Sequence, residues 1–91
     1  MPEPLGRVLL REVKPLYTEE ARKRALEGDV KLEIVVRQDG SVGNVRITRA
    51  LGGGLDQKAV DAVRQWRFGP ARRRGAPVDV VVEVSVEFKL R

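Results

Sequence analysis

From Val78 to Leu90 the chain alternates without interruption. Val78, Val80, Val82, Val84, Val86, Phe88 and Leu90 fall on one face; Asp79, Val81, Glu83, Ser85, Glu87 and Lys89 fall on the other. A period of two over thirteen residues predicts one long strand with an apolar face and a wetter one. No proline or glycine interrupts it. The apolar face needs a cover, and the preceding segment supplies one. Leu55, Ala59, Ala62, Val63 and Trp66 form a single helical stripe, which predicts a helix over Leu55 to Phe68 stopped by Gly69-Pro70. Asp56 near its start and Arg64 and Arg67 near its end suit the helix dipole.

The first half of the chain repeats this helix-and-strand grammar. Thr18 is a good N-cap, with Glu19 and Glu20 at the positive end of a short helix that runs to Leu26 and stops at Gly28. Val30, Leu32, Ile34 and Val36 alternate with Lys31, Glu33 and Arg37, a second strand. Asp39-Gly40 closes a tight hairpin. The return strand runs from Val42 to about Ala50, and Gly43 between Val42 and Val45 predicts a bulge that resets its register. Gly52-Gly53-Gly54 marks a turn; it lacks the Gly-x-x-x-x-Gly-Lys-Ser/Thr spacing of a phosphate loop.

The element order is helix, strand, strand, helix, strand. It predicts a small two-layer α+β domain over residues 15–91, with a three-stranded antiparallel sheet in the order 2-1-3 and two helices packed on one face. Residues 1–14 read as a lead-in, with a short strand or extended piece at Arg7 to Val13 and a Pro/Glu linker end at Met1-Pro2-Glu3-Pro4. Pro15 ends any ladder there. No apolar run is long enough to span a bilayer, so any anchor is expected outside these residues.

Composition removes most chemistry. There is no histidine and no cysteine, hence no common general base, no thiolate and no usual zinc ligand. Ser41 and Ser85 have no base that could activate them. Neither an enzyme nor a cofactor or metal site is expected. The net charge is +5, which favours acidic partners. Arg64, Arg67, Arg72, Arg73 and Arg74 lie close in sequence and are a candidate anion patch. Tyr17, Trp66, Phe68 and Phe88 are the whole aromatic set, too few for a stacking platform, so nucleic acid is not the expected partner.

In the order 2-1-3 the last strand is an edge, with unpaired N–H and C=O groups along its length. Natural edges are usually shortened or blunted. Three occupants fit: an extended peptide added as a further strand, a second copy of the chain, or the lead-in Arg7–Val13 folded back as a cap.

Several motifs occur together in a fixed order. They are Pro15-Leu16-Tyr17, Ala21 to Leu26 with Glu27-Gly28-Asp29-Val30, Asp39-Gly40 between two Val-rich strands, Leu55-Asp56 through Trp66-Arg67-Phe68-Gly69-Pro70, Gly75-Ala76-Pro77-Val78, and Phe88-Lys89-Leu90. This ordered set, spanning Pro15 to Leu90, resembles the C-terminal domain of TonB-type energy transducers. Thr18 stands where the family often has a proline. The resemblance implies a periplasmic domain whose full-length protein is anchored in the inner membrane and coupled there to a proton-driven motor complex. It implies capture of the TonB-box segment of an outer-membrane transporter. The added strand would lie along Val80, Val81, Val82, Glu83, Val84, Ser85, Val86, Glu87, Phe88, Lys89 and Leu90, flanked by Lys14, Pro15, Leu16 and Tyr17. Self-association through the same edge is the alternative, and a basic nucleic-acid-binding domain the weaker one.

Overall fold

The computed structural model describes residues 9–69 and 71–90. In chain order its elements are β1 (Leu9–Arg11), α1 (Glu19–Lys23), β2 (Gly28–Val36), β3 (Val42–Arg49), α2 (Leu55–Val63), β4 (Arg67–Phe68), β5 (Ala71–Arg73), β6 (Ala76–Val78) and β7 (Val80–Phe88). The main sheet is antiparallel with the order β3-β2-β7, which is the expected 2-1-3. Two short two-stranded sheets, β1-β4 and β5-β6, accompany it. The linker reading of Met1 to Pro4, and Arg7 and Val8 of the lead-in, lie outside the described residues.

The strand alternation becomes burial directly. Val30, Leu32, Ile34 and Val36 of β2 are buried, as are Val82, Val86 and Phe88 of β7. Opposite them α2 buries Leu55, Ala59, Val60, Ala62 and Val63, and α1 buries Ala21. Small residues on the helices let the two layers approach closely. The Gly43 expectation also holds: the β2–β3 register shifts between Ile34↔Val45 and Val36↔Val42, with the extra residue on β3. A second shift falls between Lys31↔Arg49 and Leu32↔Ile47, again on β3.

Local chemistry fixes the helix ends. Thr18 Oγ1 accepts from the Ala21 N–H at 3.0 Å and donates to the Gly53 carbonyl at 2.6 Å. One hydroxyl therefore caps α1 and ties it to the turn before α2. Thr18→Val should cost about 1 kcal/mol in chemical denaturation, the usual size of a lost N-cap. The three-glycine turn is a turn as expected, and the Asp56 carboxylate closes it by accepting from Leu51 N at 2.6 Å and Gly52 N at 3.0 Å.

Several expected boundaries are corrected. α1 ends at Lys23, not Leu26; Ala25, with φ 53°, takes the left-handed position expected of Gly28, Leu26 N donates back to Ala21 O at 2.9 Å, and Gly28 instead opens β2. α2 ends at Val63, not Phe68, and the chain turns at Arg64-Gln65 into β4. Long-range bonds win over helix continuation here: Phe68 N donates to Gly40 O at 2.8 Å, and Leu9 pairs with Phe68 from the other side. The single long strand over Val78–Leu90 is also broken, between β6 and β7 at Asp79. Its carboxylate accepts from the Gln38 N–H at 2.9 Å, while Val78 pairs with Ala71 in the β5-β6 hairpin.

The β2–β3 hairpin shows why its glycine is needed. Gly40 has φ +87°, and a Cβ there would stand 2.0 Å from the Phe68 carbonyl oxygen. Beside it, Asp39 accepts from both the hydroxyl and the N–H of Ser41, which holds its carboxyl below the usual range. That contribution is present above the free carboxyl's pKa and is lost as pH falls through the lowered folded value. Gly40→Ala combines an unfavourable backbone region with displacement of β4. It should lower stability by about 2 kcal/mol, read from the shift of the urea midpoint.

Candidate functional site

The open flank of β7 is the feature around which the predicted site residues gather. β2 pairs with β7 through nine consecutive residue pairs, from Gly28↔Phe88 to Val36↔Val80. Among the described residues no strand lies on the other side of β7. The described part of the lead-in does not cap it: Leu9–Arg11 pairs with Arg67–Phe68 instead.

Which groups of β7 point outward follows from one hairpin bond. Arg37 N donates to Ser41 O at 2.8 Å, so Arg37 turns its backbone groups toward β3. Backbone groups alternate sides along an antiparallel strand. Both register shifts fall on β3, so β2 keeps its parity: Val35, Glu33 and Lys31 turn toward β3, and Val36, Ile34, Leu32 and Val30 toward β7. Their partners Val80, Val82, Val84 and Val86 therefore bond to β2. Leu90 has the same parity, and its N–H reaches the Glu27 carboxylate on the β2 side at 2.6 Å. The outward groups belong to Val81, Glu83, Ser85 and Glu87.

Beside this edge runs the segment that precedes α1. Lys14, Pro15 and Tyr17 face Glu87, Phe88, Lys89 and Leu90 across an open groove of about 490 Å³. A second groove, about 220 Å³, continues it between Glu12, Lys14, Pro15 and Trp66 on one side and Ser85, Val86 and Glu87 on the other. Leu16, expected with the flanking residues, is 71% exposed and lines neither groove.

Two aromatic residues hold that segment in place. Tyr17 donates its hydroxyl to the Leu26 carbonyl at 2.5 Å and meets Phe88 edge-on, with ring centroids 5.5 Å apart. Arg22 lies over its ring. Burial raises the phenol's pKa, the Glu27 carboxylate adds to this and Arg22 opposes it, so the hydroxyl remains a donor well past neutrality. Trp66 is buried and donates its indole N–H to the Val13 carbonyl at 2.9 Å. The roles of Trp66 and Val13 beside the edge were not read from the sequence. The signal was present, because a buried tryptophan needs an acceptor for its N–H.

Of the candidate anion patch, the described side chains are those of Arg64, Arg67 and Arg74. Arg64 and Arg67 are exposed at the end of α2 and in β4, and Arg67 donates to the Trp66 carbonyl at 2.8 Å. Arg74 sits in the β5-β6 turn with φ 53°. The side chains of Arg72 and Arg73 lie outside the described residues. Among the described residues no group of His, Cys, Asp and Glu could hold a metal ion, and no helix is long and apolar enough to cross a membrane.

The family model for the Gram-negative bacterial TonB protein C-terminal region matches residues 13–90. Protein TonB of Vibrio cholerae is 36% identical over 80 residues, covering 87% of this chain and 33% of that protein. Protein tonB2 of Pseudomonas aeruginosa is 39% identical over 77 residues, covering 84% of this chain and 28% of that protein. The chain thus spans about a third of the length of these curated relatives. The solution NMR structure of the Pseudomonas aeruginosa TonB CTD matches with a TM-score of 0.72 at 26% identity, covering 90% of this chain and 84% of that one. The matched region takes in both helices, the main sheet and the segment beside its open edge, and the chain belongs to the C-terminal domain family of Gram-negative bacterial TonB proteins.

Proposed function

We propose that this domain is the periplasmic, transporter-coupling end of a TonB-type energy transducer. In this reading it has no catalytic step. It binds an extended segment of an outer-membrane transporter by strand addition to β7 and passes on a pull that originates at an inner-membrane, proton-driven motor. The observation that carries the reading is the outward row of backbone groups at Val81, Glu83, Ser85 and Glu87, with Lys14, Pro15 and Tyr17 beside it. An added strand would satisfy those groups and lay alternate side chains into the grooves.

The test is an amide NMR titration of the 91-residue chain with a panel of TonB-box peptides. Shifts concentrated at the outward amides and at Tyr17 are expected. Saturating peptide that moves none of them would remove the reading.

The same open edge, nine residues long, favours a second reading, pairing with β7 of another copy. Light scattering separates the two: a mass that doubles with concentration while peptide fails to bind supports the dimer. A dyad at Glu83 would set two Glu83 carboxylates opposite each other, and like charges across a ladder are unfavourable.

A further inference from the structure

The outer face of the sheet carries a charge row that stops short at the open edge. Arg46 of β3, Glu33 of β2 and Glu83 of β7 are consecutive cross-strand neighbours, through the pairs Glu33↔Arg46 and Glu33↔Glu83. Arg46 binds Glu33 at 2.9 Å. Among the described residues Glu83 has no cation and no hydrogen-bond partner for its carboxylate, and its neighbour across the ladder is another carboxylate. Two residues away on the same face, Val81 stands 61% exposed with Val35 opposite it. Val81 also lines a shallow groove with Val35 and Arg46.

An added strand places one side chain directly beside each of these. Opposite Glu83 a Lys or Arg would complete the row as plus, minus, minus, plus, and would offset the like-charge pair. Opposite Val81 an aliphatic side chain would cover exposed apolar surface. Toward Leu90 the edge is electrically mixed, since Glu87 shares its groove with Lys14 and Lys89, so no charge preference follows there.

Resting on the strand-addition reading, we infer that this domain selects segments with a basic and an aliphatic residue two positions apart on one strand face, the base opposite Glu83 and the aliphatic opposite Val81. The order of the two reports strand direction. An antiparallel guest reads Lys/Arg-x-aliphatic, because its chain passes Glu83 before Val81. A parallel guest reads aliphatic-x-Lys/Arg.

The test uses blocked ten-residue Val/Thr peptides carrying Lys, Gln or Glu at one outward position, with Val two residues before or after it. They are titrated into the full chain and into Glu83→Lys, following the outward amides of β7. The Lys peptide in one of the two orders should bind about two- to five-fold more tightly than its Gln counterpart, the range of an exposed cross-strand pair. Glu83→Lys should invert the ranking in favour of the Glu peptide, and both preferences should fade in 0.5 M salt by screening, about a 4 Å Debye length. Equal binding of all three peptides at the β7 edge, unchanged by Glu83→Lys, would overturn the inference and leave strand addition intact. No shift at the β7 amides with any peptide would overturn both.

Discussion

Ser85→Pro should leave the domain stable and weaken peptide capture at least about tenfold, whereas Val84→Pro, one residue away, should strongly destabilise it. The contrast follows from backbone parity. Ser85 turns its N–H to the open side, where a proline is tolerated because it removes no internal bond. Val84 pairs with Leu32 on the bonded side, and its loss breaks the middle of the β2–β7 ladder. That break, with the ring forced into the central strand, should cost on the order of 3 kcal/mol. Urea denaturation followed by circular dichroism reads the stabilities, and the titration described above reads capture. A folded Ser85→Pro protein is expected to bind at least about tenfold more weakly, for one lost donor and an obstructing ring. Unweakened binding by that variant would mean that the guest does not pair with β7.

The second large effect is expected at Trp66. Its side chain is 6% exposed, lies against Phe68 with ring centroids 6.3 Å apart, and holds Val13 through the indole N–H. Trp66→Ala should cost about 3–5 kcal/mol, the range for truncating a buried aromatic. A small domain has only about 5–15 kcal/mol in all, so the midpoint should move strongly or cooperativity should fail. Trp66→Phe separates packing from tethering. It retains an aromatic ring but loses the donor and part of the indole's buried volume, for a smaller cost of about 1–3 kcal/mol. In that variant the amides of Lys14 and Tyr17 should shift while the β2–β7 amides stay in place. If Lys14 and Tyr17 did not respond, the Val13 bond would not be what positions the segment beside the edge.

Much of this architecture was legible because its determinants are local. Alternation in β2 and β7, the Thr18 cap, the Asp39-Gly40 turn and the glycine at the β3 bulge each act through neighbours a few residues away. The strand order followed from a hairpin, a crossover helix and one apolar face. Two of the misplaced boundaries have the opposite character. Phe68 leaves the helix because Gly40 and Leu9 offer it strand bonds, and Asp79 breaks the final strand because Gln38 presents an N–H. Those partners are distant in sequence, so no window of the chain contains them. The candidate site divides in the same way. An exposed final strand and a flanking Lys14–Tyr17 segment could be expected. Which four amides face outward could not, because the hairpin bond at Arg37–Ser41 sets the parity of every strand beyond it.

The unbroken ladder between β2 and β7 has a mechanical consequence. Both irregularities of the sheet fall on β3, and none interrupts the nine pairs from Gly28↔Phe88 to Val36↔Val80. A tug directed along β7 therefore loads these bonds in shear, all at once, and rupture requires many to fail together. A tug directed across the strand would peel them one after another. A guest lying alongside β7 pulls in the shear direction, so the domain is toughest along the axis on which such a guest would draw.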